Sequence, residues 1–333
     1  MMVNIAGGDN PRAAAGTFAG SLPGRGVLSP AAGAARLPGR LRIVGMGAFG
    51  IGTVLVVGGT GRLGALLRLA WARAGQGGLV WQGRRPGAGG PVFDPLTEPR
   101  SYAAAARGTT AILSLAGRVG GDAGELANHA ALGVAALRAA ADAGVPHVFL
   151  ASSAAVYGGA DGAREEDEPS PVSDYGRGKL AMEEAASTWV AARPAGPGVT
   201  CLRIANVAGA DALLGAPLRG DPQVLDVFAD GTGPRRSYLG PGALADLLAC
   251  LLARVRAGES LPGLLNVALD GAVRMEALLA AAGRPWTPRP APATVLPVVR
   301  LDISRLAAIC GPLPPAEAAE IVADLRATLR EAP

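Results

Sequence analysis

Lysine is almost absent from this chain: among 333 residues there is one, Lys179, and every other basic side chain is arginine. Histidine is nearly as scarce, with only His129 and His147, which leaves little material for a histidine-based triad or zinc site. The three cysteines, Cys201, Cys250 and Cys310, lie far apart and match neither a metal-ligand spacing nor a disulfide framework. They read as small buried hydrophobes in a reducing compartment. Aromatics make up 4% of the residues while hydrophobic residues make up 50%, so the core must be built from Leu, Val, Ile and Ala. The net charge of +4 is local. Residues 1–50 hold Arg12, Arg25, Arg36, Arg40 and Arg42 against one acid, Asp9, a balance of +4 that leaves the rest neutral. A nucleic-acid partner thereby loses its main support.

The length suits one large domain or two unequal ones with a sizeable core. Residues 1–50, rich in Gly, Ala, Pro and Arg without a sustained period, read as a disordered leader, or as a start placed too early with Met46 as the later beginning. Excess arginine with few acids also fits a transit-type presequence, although no amphipathic pattern accompanies it. Ile43 to Gly61 is uncharged and long enough to cross a membrane, but seven of its 19 residues are glycine. A strand entering a glycine turn explains it better.

That turn is TVLVVGGTGRLG, a short apolar run breaking into Gly58, Gly59, Gly61 and Gly64. Leu63, Leu66, Leu67, Ala70 and Trp71 then repeat at helical spacing. Strand, glycine turn and helix predict a dinucleotide site: such a turn lets backbone N–H groups and the positive helix end approach a pyrophosphate where any Cβ would obstruct. A second strand, GLVWQ, ends where such folds place a carboxylate on the adenosine ribose. Here the sequence reads Gln82, Gly83, Arg84, Arg85, and the arginine pair suits a 2′-phosphate, which prefers NADP over NAD. PVFDP predicts a third strand ending at Asp94, TAILSLAG a fourth closing at Leu115, Ala116 and Gly117, and HVFLASSAAVYG a fifth emerging at Ser152 and Ser153. An Ala-rich amphipathic helix, ELANHAALGVAALRAAADAG, lies between the last two. The alternation predicts an α/β, doubly wound parallel sheet with ligands beyond its carboxyl ends.

The solitary lysine follows Tyr175 by four residues in SDYGRGKLAMEEAA, so the two side chains share one helical face. An ammonium beside a phenol favours the phenolate, which predicts a lowered tyrosine pKa.

With VVGGTGRLG, ASSAAVYG and YGRGK present in this order, the chain resembles the extended short-chain dehydrogenases/reductases, the NAD(P)-dependent epimerase/dehydratase family, from about residue 53 onward. The resemblance implies a Rossmann-type core over 51–205, catalytic helix included, and a small substrate-binding region over 206–333 interleaved with it. It makes Tyr175 the acid/base, Lys179 the nicotinamide-ribose ligand and Ser153 the donor to the reacting oxygen. Asn128 matches the family's helix asparagine, with His129 one residue of slippage away. The cofactor set becomes Gly58, Gly59, Thr60, Gly61, Arg62, Leu63, Gly64, Arg84, Arg85, Asp94, Pro95, Leu115, Ala116, Gly117, Tyr175 and Lys179. Asn206, in LRIANVAG beside Arg203, is placed towards substrate. FADGTGPRRSYLG is similar to the segment that holds a substrate diphosphate, which assigns Arg236 and Tyr238, with Ser237 where an Asp usually follows the Arg. Ala154 and Ala155 stand where 4,6-dehydratases place Asp-Glu, which argues against dehydration of that type.

Three functions remain open: an NAD(P)-dependent oxidoreductase acting on a carbonyl or secondary alcohol, a nucleotide-sugar 4-epimerase with retained NAD, and a non-catalytic dinucleotide-binding sensor. The short stretch between Asn206 and Arg236 leans towards a small substrate. The resemblance further implies a homodimer pairing the helices of Asn128 and Tyr175; composition and charge predict a cytoplasmic protein with no metal, nucleic-acid or membrane partner. The acidic run at 163–169 reads as a solvated loop, and RPWTPRPAPATVLP as a surface linker.

Overall fold

The structure is a computed structural model that describes residues 52–86, 89–215 and 223–330; the leader read from residues 1–50 lies outside them. β1 (Val54–Val57) is apolar throughout because both its faces are covered. Strand alternation sends Val54 and Val56 into one core cluster and Leu55 and Val57 into the other. It is followed by α1 (Arg62–Arg73), β2 (Leu79–Trp81), α2 (Pro99–Ala106), β3 (Ala111–Ser114), α3 (Ala123–Ala143) and β4 (His147–Ser153). A single 3-10 turn (Ala154–Tyr157) and β5 (Asp161–Ala163) lead to α4 (Asp174–Ala191), β6 (Gly198–Ile204) and β7 (Asn206–Val207). Then come β8 (Gln223–Val227), β9 (Arg235–Arg236), β10 (Tyr238–Leu239), α5 (Pro241–Arg256), β11 (Leu264–Val267) and β12 (Val273–Arg274). The chain closes through α6 (Met275–Ala282), β13 (Trp286–Pro290), β14 (Val298–Leu301), α7 (Ser304–Cys310) and α8 (Ala318–Leu329).

Six strands form one parallel sheet in the order β2-β1-β3-β4-β6-β11. α1, α5 and α8 cover one face, and α2, α3 and α4 the other. This is the doubly wound, Rossmann-type α/β fold. Its strand order reverses between β1 and β3, so a crevice opens at their carboxyl ends. Smaller sheets, β12-β9-β14-β5, β13-β8 and β10-β7, form the C-terminal extension, while α5 and β11 return to the core. No helix among the described residues is long and apolar enough to cross a membrane.

Four expectations are corrected. PVFDP is not a strand; it touches β2's continuation through one parallel bridge, Gly83 to Val92. Pro91 and Pro95 bracket it, and a residue without an N–H cannot extend a ladder. The proline-rich segment is no simple linker, because Trp286–Pro290 pairs in parallel with β8 and Arg289 bridges Asp226 at 2.7 Å. In the acidic run, Glu165 is buried and accepts from the Asn266 N–H at 2.8 Å, whereas Glu166, Asp167 and Glu168 are exposed. Finally, Cys250 of α5 and Cys310 of α7 form a disulfide with Cα atoms 6.1 Å apart; only Cys201 is a free, buried thiol among the described cysteines.

Candidate active site

The glycine turn begins where β1 ends. Gly58 takes φ +83°, a left-handed conformation open to glycine, and a Cβ there would lie 2.9 Å from the Ala116 nitrogen. The turn and the end of β3 therefore touch, bringing Gly58 against Leu115 and Ala116. At Gly59 a Cβ would meet Trp81 at 2.9 Å, and at Gly64 the Gly58 carbonyl at 2.6 Å, so α1 approaches the sheet closely. Gly61 caps α1 without a side-chain hydrogen bond, no acid lies in the first turn, and Thr60, Gly61 and Arg62 are exposed beside half-buried Leu63. An open, positive helix end at a glycine cradle fits a dinucleotide pyrophosphate.

The adenosine end differs from the usual pattern. Gln82 is buried, and its amide is spent on the fold: Oε1 accepts from Gly58 N–H at 3.0 Å, while Nε2 donates to the carbonyls of Gly83 at 3.0 Å and Phe93 at 2.5 Å. Arg84 and Arg85 are exposed just beyond it. Asp94 uses its carboxylate locally, accepting from Leu96 N–H at 2.8 Å before α2, with Pro95 buried beside it.

Beyond β3 and β4 the chemistry-bearing side chains converge. Ser173 caps α4 by accepting from Gly176 N–H at 3.1 Å, which starts the helix one residue before Tyr175. Burial pushes the Tyr175 phenol pKa up, and the neighbouring Ser153 side chain opposes that shift. Lys179, one turn on, is buried and donates to the Ala151 carbonyl at 2.6 Å; its Nζ lies 5.8 Å from the Tyr175 ring centroid. Burial lowers its pKa to about 8, with the Glu183 carboxylate opposing the shift. The expected acidified phenol is thus corrected: the ammonium is turned to a backbone carbonyl, and desolvation leaves Tyr175 a neutral proton donor.

Asn128 is exposed, and the inward position belongs to His129. Its ring meets the Tyr175 ring edge-on with centroids 5.8 Å apart, and Nε2 lies 2.9 Å from the Arg118 carbonyl. Gly117, at φ +148°, leaves no room for a Cβ, which would fall 2.7 Å from His129 Nδ1 and 3.5 Å from Lys179 Nζ.

Behind the site, Glu183 of α4 and Arg203 of β6 form a buried pair, Nη2 to Oε2 2.7 Å. Ser152 donates to the same carboxylate, and Arg203 stacks on Tyr157, 4.6 Å from its ring centroid. The pair binds the helix of Tyr175 to the strands carrying Ser153 and Asn206. The remaining substrate-side residues meet where β7 pairs with β10, Asn206 opposite Tyr238. Asn206 is exposed and donates to the Ser237 carbonyl at 3.4 Å. Arg236 donates to the carbonyls of Arg235 at 2.8 Å and Leu296 at 2.9 Å. Tyr238 is buried with its hydroxyl on Asp211 at 2.6 Å, so the structure gives it a packing role in place of the substrate contact expected. Ser237, where an Asp was expected, donates to Gly271's carbonyl at 3.0 Å and accepts from Leu301 N–H at 3.0 Å. No cluster of three or more His, Cys, Asp or Glu suited to a metal occurs among the described residues.

Comparison with curated proteins finds no match. Among solved structures the chain is similar to MoeE5 in complex with UDP-glucose and NAD, at 26% identity and a TM-score of 0.68, covering 84% of this chain and 99% of that one. MoeE5 with UDP-glucuronic acid and NAD matches at 25% identity and 0.67 over the same shares. A UDP-glucose-4-epimerase from Stenotrophomonas maltophila with bound NAD and formylated UDP-arabinopyranose shares the fold at 23% identity and 0.65, again over 84% and 99%. The sequence pattern of the NAD dependent epimerase/dehydratase family matches residues 54–260, most of the folded chain. With the glycine cradle, the parallel sheet and this match in agreement, the chain belongs to the NAD-dependent epimerase/dehydratase family, the extended short-chain dehydrogenase/reductase enzymes.

Proposed function

We propose that this enzyme is an NAD(P)-dependent oxidoreductase that interconverts a carbonyl and a secondary alcohol at a Ser153–Tyr175–Lys179 site. The Ser153 side chain at the carboxyl end of β4 acting on the Tyr175 phenol, with Lys179 buried one helical turn further on, carries this reading. When bound, the nicotinamide exchanges the hydride. Ser153 holds the reacting oxygen, Tyr175 gives it a proton in the reductive direction, and in the reverse direction the phenol oxygen must take one up. Lys179 supplies a buried positive charge that offsets the phenolate left behind. Gly58, Gly59, Thr60, Gly61, Arg62, Leu63 and Gly64 would hold the pyrophosphate, and Leu115, Ala116 and Gly117 would border the nicotinamide.

The adenosine end supports NADP. No carboxylate closes β2, Gln82 is turned inward, and Arg84 and Arg85 stand exposed where a 2′-phosphate would meet them. The likeness to MoeE5 holding UDP-sugars with NAD favours a second reading, a nucleotide-sugar 4-epimerase, in which Asn206 and Arg236 face the substrate. In either case the protein acts as a homodimer through α3 and α4, whose groove is lined by Ala130, Val134 and Ala185.

The cofactor content of the purified enzyme separates the two: tightly retained NAD supports the epimerase, and turnover of added NADPH with a carbonyl panel supports the oxidoreductase. Tyr175→Phe abolishes turnover in both while leaving cofactor affinity within about twofold of the parent. Near-normal turnover in that variant would overturn the site.

A further inference from the structure

His129 is one of two histidines, and the mechanism above does not use it. Three contacts define its surroundings. Its ring stands edge-on to Tyr175 at 5.8 Å, its Nε2 meets the Arg118 carbonyl at 2.9 Å, and Gly178, on the same helix as Tyr175, would place a Cβ 3.1 Å from its Cδ2. On the opposite side it fills the space a Cβ of Gly117 would need. One imidazole is thus wedged between two glycines and a tyrosine, one glycine on the β3 end and the other on α4.

We propose that His129 is a positioning residue: anchored on the Arg118 carbonyl and wedged against the Gly117 backbone, it braces the Tyr175 ring and keeps water from the phenol's flank. This rests on the Ser153–Tyr175–Lys179 reading.

The hydrogen bonding makes the role one of placement. A carbonyl only accepts, so the ring proton sits on Nε2 and Nδ1 presents a lone pair. Nδ1 is buried and has no hydrogen-bond partner. It faces the space a Gly117 Cβ would occupy, and Lys179 Nζ borders the same space. Burial first, and the Lys179 ammonium second, lower the His129 pKa to about 4, so the ring is neutral wherever Tyr175 works and carries no catalytic proton. The charged and titratable groups facing this assembly are Lys179, Tyr175 and Glu183 on α4 and Cys201 on β6. What the ring contributes is shape. A phenol shifted by a fraction of its hydrogen-bond length loses its alignment with the reacting oxygen, and misplacement of this kind costs rate more than binding.

The test pairs kinetics with a titration of the cofactor-free protein. In His129→Ala, kcat falls by about tenfold to a hundredfold while KM and the cofactor Kd stay within about threefold. The Tyr175 phenol is isolated as the difference between the ultraviolet titrations of His129→Ala and His129→Ala/Tyr175→Phe, and compared with the same difference in the parent. It ionises at lower pH once the ring no longer excludes water. If His129→Ala fails to fold, His129→Asn carries the same readings, because its amide retains a donor for the Arg118 carbonyl but has no ring for Tyr175. An unshifted phenol in a folded variant overturns the proposal, as does a kcat within about twofold of the parent. Should Tyr175→Phe itself keep turnover, the catalytic reading falls while the phenol titration still decides whether His129 shields Tyr175.

Discussion

A buried imidazole resists protonation, and His147 expresses that in stability. It lies at the start of β4, far along the strand from Ser153. The Thr200 hydroxyl donates to the Pro262 carbonyl at 2.9 Å, so it accepts from His147 Nε2–H at 3.1 Å. A further proton would have to sit on Nδ1, which faces the Gly198 backbone. Burial lowers the His147 pKa from 6.5 to about 4. Between those values the unfolded chain binds the proton and the folded one does not, so stability rises with pH there. The contribution is complete above pH 6.5 and is lost as pH falls towards about 4. Denaturant unfolding across this range should show roughly 2 kcal/mol less acid sensitivity in His147→Gln than in the parent. Equal sensitivity in the two proteins counts against it.

Residues also mark where the sequence was legible. Tyr175 and Lys179 were readable because four residues on a helix always share a face. Ser153 was readable because it ends an apolar strand. Asn128 and His129 were not distinguishable, since one residue turns a helix by about 100° and only its packing sets that phase. Gln82 was noticed for the missing carboxylate, but its inward amide depends on the Phe93 carbonyl, from a segment that does not form the strand expected of it.

Elements are finished by partners distant in sequence. Gly240 caps α5 without a side chain. The cap comes from α8, where buried Asp324 accepts from Gly242 N–H at 3.0 Å and Ala243 N–H at 2.9 Å. A carboxylate at a helix start also complements the helix dipole. Asp324→Ala strands two amides and should cost about 2–3 kcal/mol in denaturant unfolding, with Asp324→Asn recovering part of it. A loss under about 0.5 kcal/mol would show the cap to be dispensable. Nothing in the α5 sequence announces this arrangement, because its capping group lies more than eighty residues downstream. The parallel core strands were legible for the opposite reason: burial on both faces demands unbroken apolar runs.

At the level of the whole molecule, the disulfide joins α5 to α7 across a separation of 60 residues. Removing it as Cys250→Ser/Cys310→Ser should lower the unfolding free energy by about 2–4 kcal/mol. The same reductant added to both proteins should narrow the gap once unfolding exposes the bond. Thiol counting on denatured, unreduced protein should find one thiol per chain, Cys201; three would overturn the pairing. The fold class was legible in the alternation of strands and helices, yet the small sheets of the extension were not. Two-residue strands such as β7, β9 and β10 have no period to read, and they exist because the surrounding chain holds them in register.

The cap on α5 bears on biosynthesis. A chain emerging from the ribosome amino end first presents β1 to β6, and with them Ser153 and Tyr175, well before Asp324 leaves the tunnel. Until then the exposed amides at the start of α5 hold only water, although that helix must cover the sheet face above β1. Translation therefore delivers the catalytic side chains early and the wall behind them late. In that interval a nascent chain would expose apolar sheet surface to chaperones or to neighbouring chains.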